Sequence, residues 1–528
     1  MDQILILDFG SQTTQLIGRR VRDLGVYTEI IPGDTPVDSA LTKNVKGIIL
    51  SGSPESVYDT GAVPDKKIYD CGLPLLGICY GLQRMTHDLG GKVEPLPKKE
   101  YGRIDVKISP DTASGYTAEF LKGFRSSFTA WMSHGDTLTK LAPGFKEYGS
   151  SATGYPAVVA HEKNPWFGLQ FHPEVTHCEG GDGILGAFVF GVCGCNKGWS
   201  MEHYVEELGQ SLKARAGDNP VLLLISGGVD STVAGAALLK TLKSEQVHLM
   251  YMDTGLMRKN ETAAVRSSLE KLGAKNLHII MCENEFLSAL KGKEEPEEKR
   301  RIIGDLFITV QEREVARLKL PESYFLAQGT LYTDLIESGK GVGKKAHVIK
   351  SHHNVASPLV DAKRKAGKII EPLDRLYKDE VRELGRYLGV DEEIVRRHPF
   401  PGPGLAVRIL GGITREKCDI LREADAIFIE ELKNRKGPSG KSLYDEIWQA
   451  FAILLPIRSV GVAGDVRKYG WVLALRAIIS ADGMTADVYP FETRDILEIS
   501  TRITNSVKEI GRVTYDISSK PPATIEWE

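Results

Sequence analysis

Residues Ser226 to Thr232 read SGGVDST and join the apolar run Val221 to Ile225 to a helix-like stretch, Val233 to Lys240. A strand, a glycine-rich turn and a helix start in this order belong to a doubly wound parallel sheet, whose ligands bind at the carboxyl ends of strands. Gly227 and Gly228 carry no Cβ, so backbone N–H groups can approach a phosphate, and the helix N-terminus adds partial positive charge. The turn lacks the lysine of the G-x-x-x-x-G-K-[ST] pattern, and Asp230 stands there instead, suited to a magnesium ion. Ser226, Gly227, Gly228, Val229, Asp230, Ser231 and Thr232 therefore read as an ATP site that holds a departing pyrophosphate. Attack then falls on the α-phosphate, and AMP is transferred.

A chain of 528 residues is too long for one core, and about 150 residues per domain gives three or four units. With a net charge of −3 there is no global field to gather nucleic acid or anionic lipid. The opening MDQILILDFGSQ has no basic leader region and reads as a first strand. The longest nearly apolar stretch, Ile184 to Cys195, is short of the ~20 residues that span a bilayer. Seven scattered cysteines point to reduced thiols in the cytoplasm, and Cys193 and Cys195 read as small buried residues, not zinc ligands.

From residue 1 to about 195 the runs Ile4 to Leu7, Gly47 to Leu50 and Leu73 to Ile78 alternate with helical patterns such as Thr14 to Leu24. That alternation predicts a parallel, helix-covered sheet. The glycine-rich tract Cys193 to Trp199 ends it. A second alternation runs from Val221 through Val247 to Asp253 and Leu277 to Met281. The segment HPFPGPGL, His398 to Leu405, excludes helix and central strand and reads as a rigid connector. Beyond it a helix over Arg415 to Lys433, strands Ile457 to Val462 and Tyr469 to Ser480, and a helix over Thr493 to Ile510 predict a mixed third domain. The fold class is α/β: two doubly wound parallel-sheet domains, 1–197 and 198–403, then a smaller α+β domain, 404–528.

A second turn has the same grammar and a different chemical group. Gly77-Ile78-Cys79-Tyr80-Gly81 is the thiol counterpart of the G-x-S-x-G nucleophile elbow, with a helix N-terminus to stabilise the thiolate. In Leu169-Gln170-Phe171-His172-Pro173-Glu174, Pro173 is expected to keep the chain extended. Side chains two apart then share one side, and Cys79, His172 and Glu174 supply nucleophile, base and orienter. The stretch Ser51-Gly52-Ser53-Pro54 offers the N–H groups of Gly52 and Ser53 as an oxyanion hole, with that of Tyr80.

The first domain resembles a class I glutamine amidotransferase and the second the N-type ATP pyrophosphatases. Their order, with KSHHNV (Lys350 to Val355), HPFPGPGL, RSVGVAGDVRKY (Arg458 to Tyr469) and the ending KPPATIEWE, is similar to the glutamine-hydrolysing GMP synthases. The resemblance implies ammonia release from glutamine at Cys79. It also implies adenylylation of xanthosine 5′-monophosphate (XMP) by magnesium ATP, and displacement of AMP by ammonia to give GMP. It implies that Gln83, Ser133, His134, Gly135 and Asp136 help bind glutamine, and that Asp253, Gly255 and Leu256 border the adenine. XMP would be held by Arg300 in the lid-like charged run, Pro401, Gly402 and Pro403, Asp465, Arg467, Lys520, Ile525 and Glu526. A homodimer through the C-terminal domain is a further implication.

The isolated charged run also reads as a helix start, with Pro296 at its first position and Glu297 and Glu298 in the first turn. Three places depart from the family pattern. Ser53 stands for a glycine, where a positive φ would strain it. Thr333 stands for a proline, and Ala356-Ser357-Pro358-Leu359 replaces G-G-L-P ahead of the basic Lys363-Arg364-Lys365. Two other readings stay open: a relative of NAD or asparagine synthetase, and a catalytically silent nucleotide sensor.

Overall fold

The structure, a computed structural model, describes residues 1–110, 112–332, 334, 358–463, 466–480 and 485–528. Thr333, Lys350 to Val355, Ala356, Ser357 and Asp465 lie outside the described residues. The chain divides into two compact units, one on Met1–Tyr204 with Tyr332, the other on Val205–Leu331 and 358–528.

The first unit is built on strands β1 (Gln3–Asp8), β2 (Tyr27–Pro32), β3 (Val45–Leu50), β4 (Leu75–Ile78), β5 (Lys92–Ile108), β6 (Ser127–Lys140), β7 (Phe145–Ser151), β8 (Pro156–His161) and β9 (Trp166–Leu169). They form one sheet in the order β2-β1-β3-β4-β9-β8-β7-β5-β6. The strands from β2 to β9 in that order pair in parallel, as the alternation of apolar runs and helices predicts. The others pair antiparallel, an extension the apolar runs do not announce. The reason is burial. β1 and β4 are buried at every residue and read as continuous apolar runs, whereas β6 alternates buried and exposed positions along its first half.

The apolar stretch from Ile184 lies in a helical segment that starts at Gly181 and continues to Val192. Its Phe188 packs edge-on to Phe120 and Phe167 in the core. The Cys193 sulfur fills the space that a side chain at Gly47 would need.

The second unit contains a parallel sheet in the order β12-β11-β10-β13-β14, from β10 (Val221–Ile225), β11 (Val247–Asp253), β12 (Asn276–Met281), β13 (Phe325–Ala327) and β14 (Ile369–Ile370). A second sheet pairs β15 (Gln449–Ala463) with β16 (Val466–Ile479), and β16 with β17 (Asp487–Val488) and β18 (Ile510–Tyr515). The last helix is shorter than its apolar pattern suggests. It ends at Ser506, and Ile510 opens β18, because the pattern continues into a strand after the turn at Val507.

The proline-rich segment does exclude α-helix and strand, but it does not merely connect. Gly404–Val407 is a 3-10 turn with Leu405, Ala406 and Val407 fully buried. Gly404 has φ +63, and a side chain there would strike the Leu256 carbonyl oxygen. Leu405 N–H donates to that same oxygen at 2.8 Å. The boundary expected between residues 403 and 404 falls inside this unit. One apolar cluster runs from Leu256 and Phe286 through Leu405 and Ile409 to Phe428, Leu454 and Ile510. Among the described residues no helix is long and apolar enough to cross a membrane.

Candidate active sites

In the first unit β4 delivers Cys79 to the N-terminus of the helix Tyr80–Asp88. Cys79 has φ +52 and ψ −107, a region a side chain rarely occupies, so the turn holds strain at the residue that carries the thiol. Its glycines are explained by close approach. A Cβ at Gly77 would come within 2.5 Å of Leu82 N, and one at Gly81 would strike the Leu50 carbonyl. The Cys79 N–H donates to Leu169 O at 2.7 Å, which ties the elbow to the strand that leads to His172.

His172, Pro173 and Glu174 leave β9 in a turn and not in the extended form expected from Pro173. A proline φ suits a turn as well as a strand. The outcome is nonetheless a contact: His172 Nδ1 lies 2.7 Å from Glu174 Oε1, with both side chains buried. Burial, the largest influence, would lower the imidazole pKa. The Glu174 charge and interaction with Cys79 outweigh it and hold His172 well above its ordinary value. Thr13 Oγ1 lies 3.4 Å from the same Nδ1, and Arg20 Nε donates to Glu174 O at 3.0 Å. Neither was legible in the sequence, since Thr13 is the N-cap of the helix Thr14–Asp23 and Arg20 lies within it, far along the chain from His172 and Glu174.

Gly52 is buried against His172, whose Cε1 would lie 3.2 Å from a Cβ built there. Ser53 is not among the described residues with positive φ, so the serine carries no strain of that kind. Its hydroxyl accepts from Glu55 N–H at 3.1 Å. Tyr80 opens the helix after Cys79. The stretch Ser133 to Asp136 belongs to β6, an edge strand that pairs only with β5. Ser133 O lies 3.9 Å from Cys79 Sγ, Gln83 Nε2 donates to Asp136 O at 2.9 Å, and Ser56 Oγ donates to Asp136 Oδ2 at 2.7 Å. Gly135 lies between them, with Lys99 against the position of its missing side chain. Ser133, His134 and Asp136 are thus brought beside the turn at Cys79 and beside Gln83 on its helix by an edge strand with backbone groups to spare.

In the second unit the glycine turn at Ser226 to Gly228 follows β10 as read. The helix begins at Val229 and not Val233, because Gly228 is its N-cap and Val229, Asp230, Ser231 and Thr232 form its first turn. Gly227 has φ +82. Ser231 Oγ accepts from Ser226 N–H at 3.1 Å, and Thr232 Oγ1 donates to Gly228 O at 2.9 Å. The missing lysine arrives from elsewhere: Lys378, first residue of the helix Lys378–Tyr387, donates to both Asp230 oxygens at 2.6 and 2.5 Å. Arg397 donates to Gly227 O at 2.7 Å and to buried Glu261 at 2.8 Å. No local pattern in the sequence marks Lys378 or Arg397, because each is brought in by folding.

Asp253 ends β11 with its carboxylate already used, accepting from Gly255 N–H at 2.9 Å and Thr262 Oγ1 at 2.5 Å. Gly255 has φ +74, and Leu256 is buried under the proline-rich segment. Pro401 and Pro403 lie in that segment with Gly402 exposed.

The charged run forms the helix start that its Pro296, Glu297 and Glu298 suggest. The helix spans Pro296–Arg317, with Pro296 in its first turn and Glu297 and Glu298 beside it, so Arg300 stands on a helix and not in a lid loop. Apart from Arg300, the cations that hold the C-terminal tail are ones the sequence did not single out. Arg476, fully buried, donates to Ile525 O and Thr524 O at 2.8 Å each. Fully buried Arg408 holds Glu526 through Nη2 at 2.8 Å and Nε at 3.1 Å, and Gln449 donates to the same carboxylate at 2.9 Å. Fully buried Lys299 pairs with the Glu528 side chain, and Arg300 donates to Glu528 O. Lys520 bridges to Ala486 through the backbone. Arg467 is exposed on β16.

Residues 5–192 match the class-I glutamine amidotransferase family, 203–292 the asparagine synthase family and 438–527 the GMP synthase C terminal domain. Over the whole length the chain is 48% identical to a GMP synthase (glutamine-hydrolysing) of Aquifex aeolicus, covering 99% of both chains. It is 48% identical to that of Neisseria meningitidis serogroup B, covering 100% of this chain and 99% of the other. With that of Methylobacillus flagellatus the identity is 47%, with the same coverage.

Proposed function

Because the chain belongs to the glutamine-hydrolysing GMP synthase family and so makes GMP with nitrogen from glutamine, we propose that its two glycine turns divide the reaction between them. The Cys79 thiolate attacks the glutamine carboxamide carbon, and the tetrahedral oxygen is met by N–H groups of Gly52, Ser53 and Tyr80. The C–N bond breaks as His172 gives its proton to the leaving ammonia. His172 then takes a proton from water, which hydrolyses the thioester to glutamate and frees the thiolate. Glu174 holds the imidazolium in place. The observation that carries this half is His172 Nδ1 at 2.7 Å from Glu174 in the buried site that also holds Cys79.

At the second turn the 2-oxygen of XMP attacks the α-phosphorus of ATP, pyrophosphate leaves, and ammonia then displaces AMP. The backbone and hydroxyls of Ser226 to Thr232 cradle the phosphates, and Lys378 supplies the cation the loop lacks. Magnesium would fit Asp230, whose hard oxygen donors are partly exposed at the turn and whose ion-pair partner among the described residues is the Lys378 ammonium. When bound, the ion neutralises phosphate charge. Asp253, Gly255 and Leu256 are assigned to the adenine edge. Arg300, Pro401 to Pro403, Arg467, Lys520, Ile525 and Glu526 are assigned to XMP, supported by the tail's seat beside the proline-rich segment.

The same reading takes the cytoplasm as the compartment and a homodimer as the assembly. Exposed Ile457, Val460, Val462 and Tyr469 on β15 and β16 support the latter. The test is ultraviolet monitoring of XMP consumption with ATP, magnesium and glutamine. GMP is the expected product, and the absence of any GMP from XMP would overturn the reading.

A further inference from the structure

On the helix that follows Cys79 the fold buries an ion pair that the steps above do not use. Tyr80, Arg84 and Asp88 stand four residues apart on the helix Tyr80–Asp88 and so share one face of it. The Arg84 and Asp88 side chains are 9% and 2% exposed. Arg84 donates through Nε to Asp88 Oδ2 at 3.1 Å and through Nη2 to Oδ1 at 2.5 Å, and the Tyr69 hydroxyl donates to the same carboxylate at 3.1 Å. A two-pronged contact of this kind fixes the plane of the guanidinium and leaves its third nitrogen to point elsewhere. That nitrogen, Nη1, donates to Val57 O at 3.4 Å in a buried contact.

Val57 belongs to the irregular stretch between Leu50 and Lys66, which forms neither helix nor strand and carries Gly52 and Ser53 near its start. N–H groups on such a stretch are only as well placed as the contacts that hold it. Its middle is tied to the unit by Ser56 Oγ on Asp136 at 2.7 Å and by the Tyr58 hydroxyl on Val93 O at 2.8 Å, but Ser56 is half-buried and Tyr58 is 61% exposed. The tie from Arg84 is shielded from water, and it comes from the helix whose first residue is Tyr80. Stability does not account for the pair. Taking two charges out of water offsets most of what their attraction gains, and apolar side chains of similar volume would serve as well.

We propose that Arg84 is a positioning residue for glutamine hydrolysis: it holds the stretch that carries Gly52 and Ser53 against the helix that opens with Tyr80, and Asp88 locks the guanidinium for that task. This rests on the assignment of the oxyanion hole to the N–H groups of Gly52, Ser53 and Tyr80. The tetrahedral oxygen develops only as the thiolate attacks, so misplaced donors cost turnover and not the binding of glutamine.

Two variants of the full chain test this. Arg84→Met removes the fork and leaves the Asp88 carboxylate buried without its cation. Arg84→Met/Asp88→Leu removes both charges, so the fold regains stability while Val57 O still lacks its donor. Glutamate release is followed with XMP, ATP and magnesium present, alongside thermal midpoints and alkylation of Cys79 by iodoacetamide, which reports whether the nucleophile's turn is intact. Both variants are expected to lower kcat for glutamine by about 10- to 100-fold with KM changed by less than about 3-fold, a part of what loss of a whole oxyanion donor costs. The midpoint should fall in the single variant and return in the double, with the double alkylated at the wild-type rate.

A kcat that recovers together with the midpoint in the double variant would overturn the proposal, since the pair then serves stability alone. An unchanged kcat in both variants, or a loss carried by KM, would overturn it too. Loss of alkylation in the double variant would do the same, because the pair would then support the nucleophile's turn and not the hole. Ser53→Pro separates the two levels by deleting one N–H of the hole. If it leaves kcat unchanged, the assignment of the hole itself fails. A lowered kcat in Ser53→Pro beside an unaffected double variant removes only the role of Arg84.

Discussion

The turn at Cys79 and the turn at Gly227 are built to one plan, a buried parallel strand leading through glycines into a helix, yet they place their backbone strain on different residues. At the elbow the left-handed φ belongs to Cys79, and the flanking Gly77 and Gly81 are there because neighbouring backbone leaves no room for a Cβ. At the phosphate turn the left-handed φ belongs to Gly227, and Asp230 sits unstrained in the first helical turn. The lesson concerns what each turn presents. On the proposed function one projects a side chain that forms a bond, so the reactive residue stands at the apex. The other presents backbone N–H groups, so the apex is left bare. The surroundings differ in the same sense: Cys79, His172 and Glu174 are buried together, while Asp230 and Lys378 form a partly exposed pair that incoming ligands can rearrange.

Two turns with separate tasks must respond separately to substitution. Cys79→Ala should lower glutamine-dependent GMP formation by about 10⁴-fold or more while ammonia-dependent formation persists, and Asp230→Ala should depress both. Parallel losses in the two assays for Cys79→Ala would refute a division of labour. The second largest effect concerns the buried cations of the second unit. Lys299→Met leaves the Glu528 carboxylate buried without its partner and should cost about 3–5 kcal/mol in denaturant unfolding, whereas a loss below ~1 kcal/mol would show that the tail can detach freely.

Lys378→Met sharpens the contrast between a preformed site and one completed by ligand. It should slow the ATP-dependent step by about 10²- to 10³-fold with glutaminase chemistry intact. Smaller still is the pH dependence of stability. His172 has a folded pKa above its unfolded value of about 6.5, so the stabilisation of its imidazolium is fully present below that value and is lost as pH rises through the folded pKa. Thermal midpoints of His172→Asn against wild type over neutral to alkaline pH should converge as pH rises, and a constant difference would argue against the raised pKa. Last, Gly227→Ala should cost about 1–2 kcal/mol from its left-handed φ, a backbone penalty that Gly81→Ala would meet instead as overpacking of about 1–3 kcal/mol.

Much of this was legible from local pattern. The strands that are buried on both faces, β1, β3, β4, β10 and β11, stand out as apolar runs, and both glycine turns announce themselves by spacing. The antiparallel half of the first sheet was not, since strands with one wet face alternate and lack a continuous run. The turn at Pro173 was misread as extended, because proline restricts φ and leaves the choice between turn and strand to ψ and to the packing around it. The end of the last helix was overrun for a related reason: periodic apolar residues up to Ile510 serve a helix and then a strand.

The chain read alone reveals the α/β class, the two strand–turn–helix segments, and Cys79, His172 and Glu174 as a candidate set, because each follows from a short local pattern or a distinctive side-chain type. Folding alone brings Lys378 and Arg397 to the glycine turn of the second unit and closes Lys299, Arg408 and Arg476 on the tail. Each of these is a single charged residue whose partner lies tens to hundreds of positions away. A charge on a surface and a charge in a buried pair look alike in a sequence, because the low-dielectric setting that separates them exists only once the chain has folded.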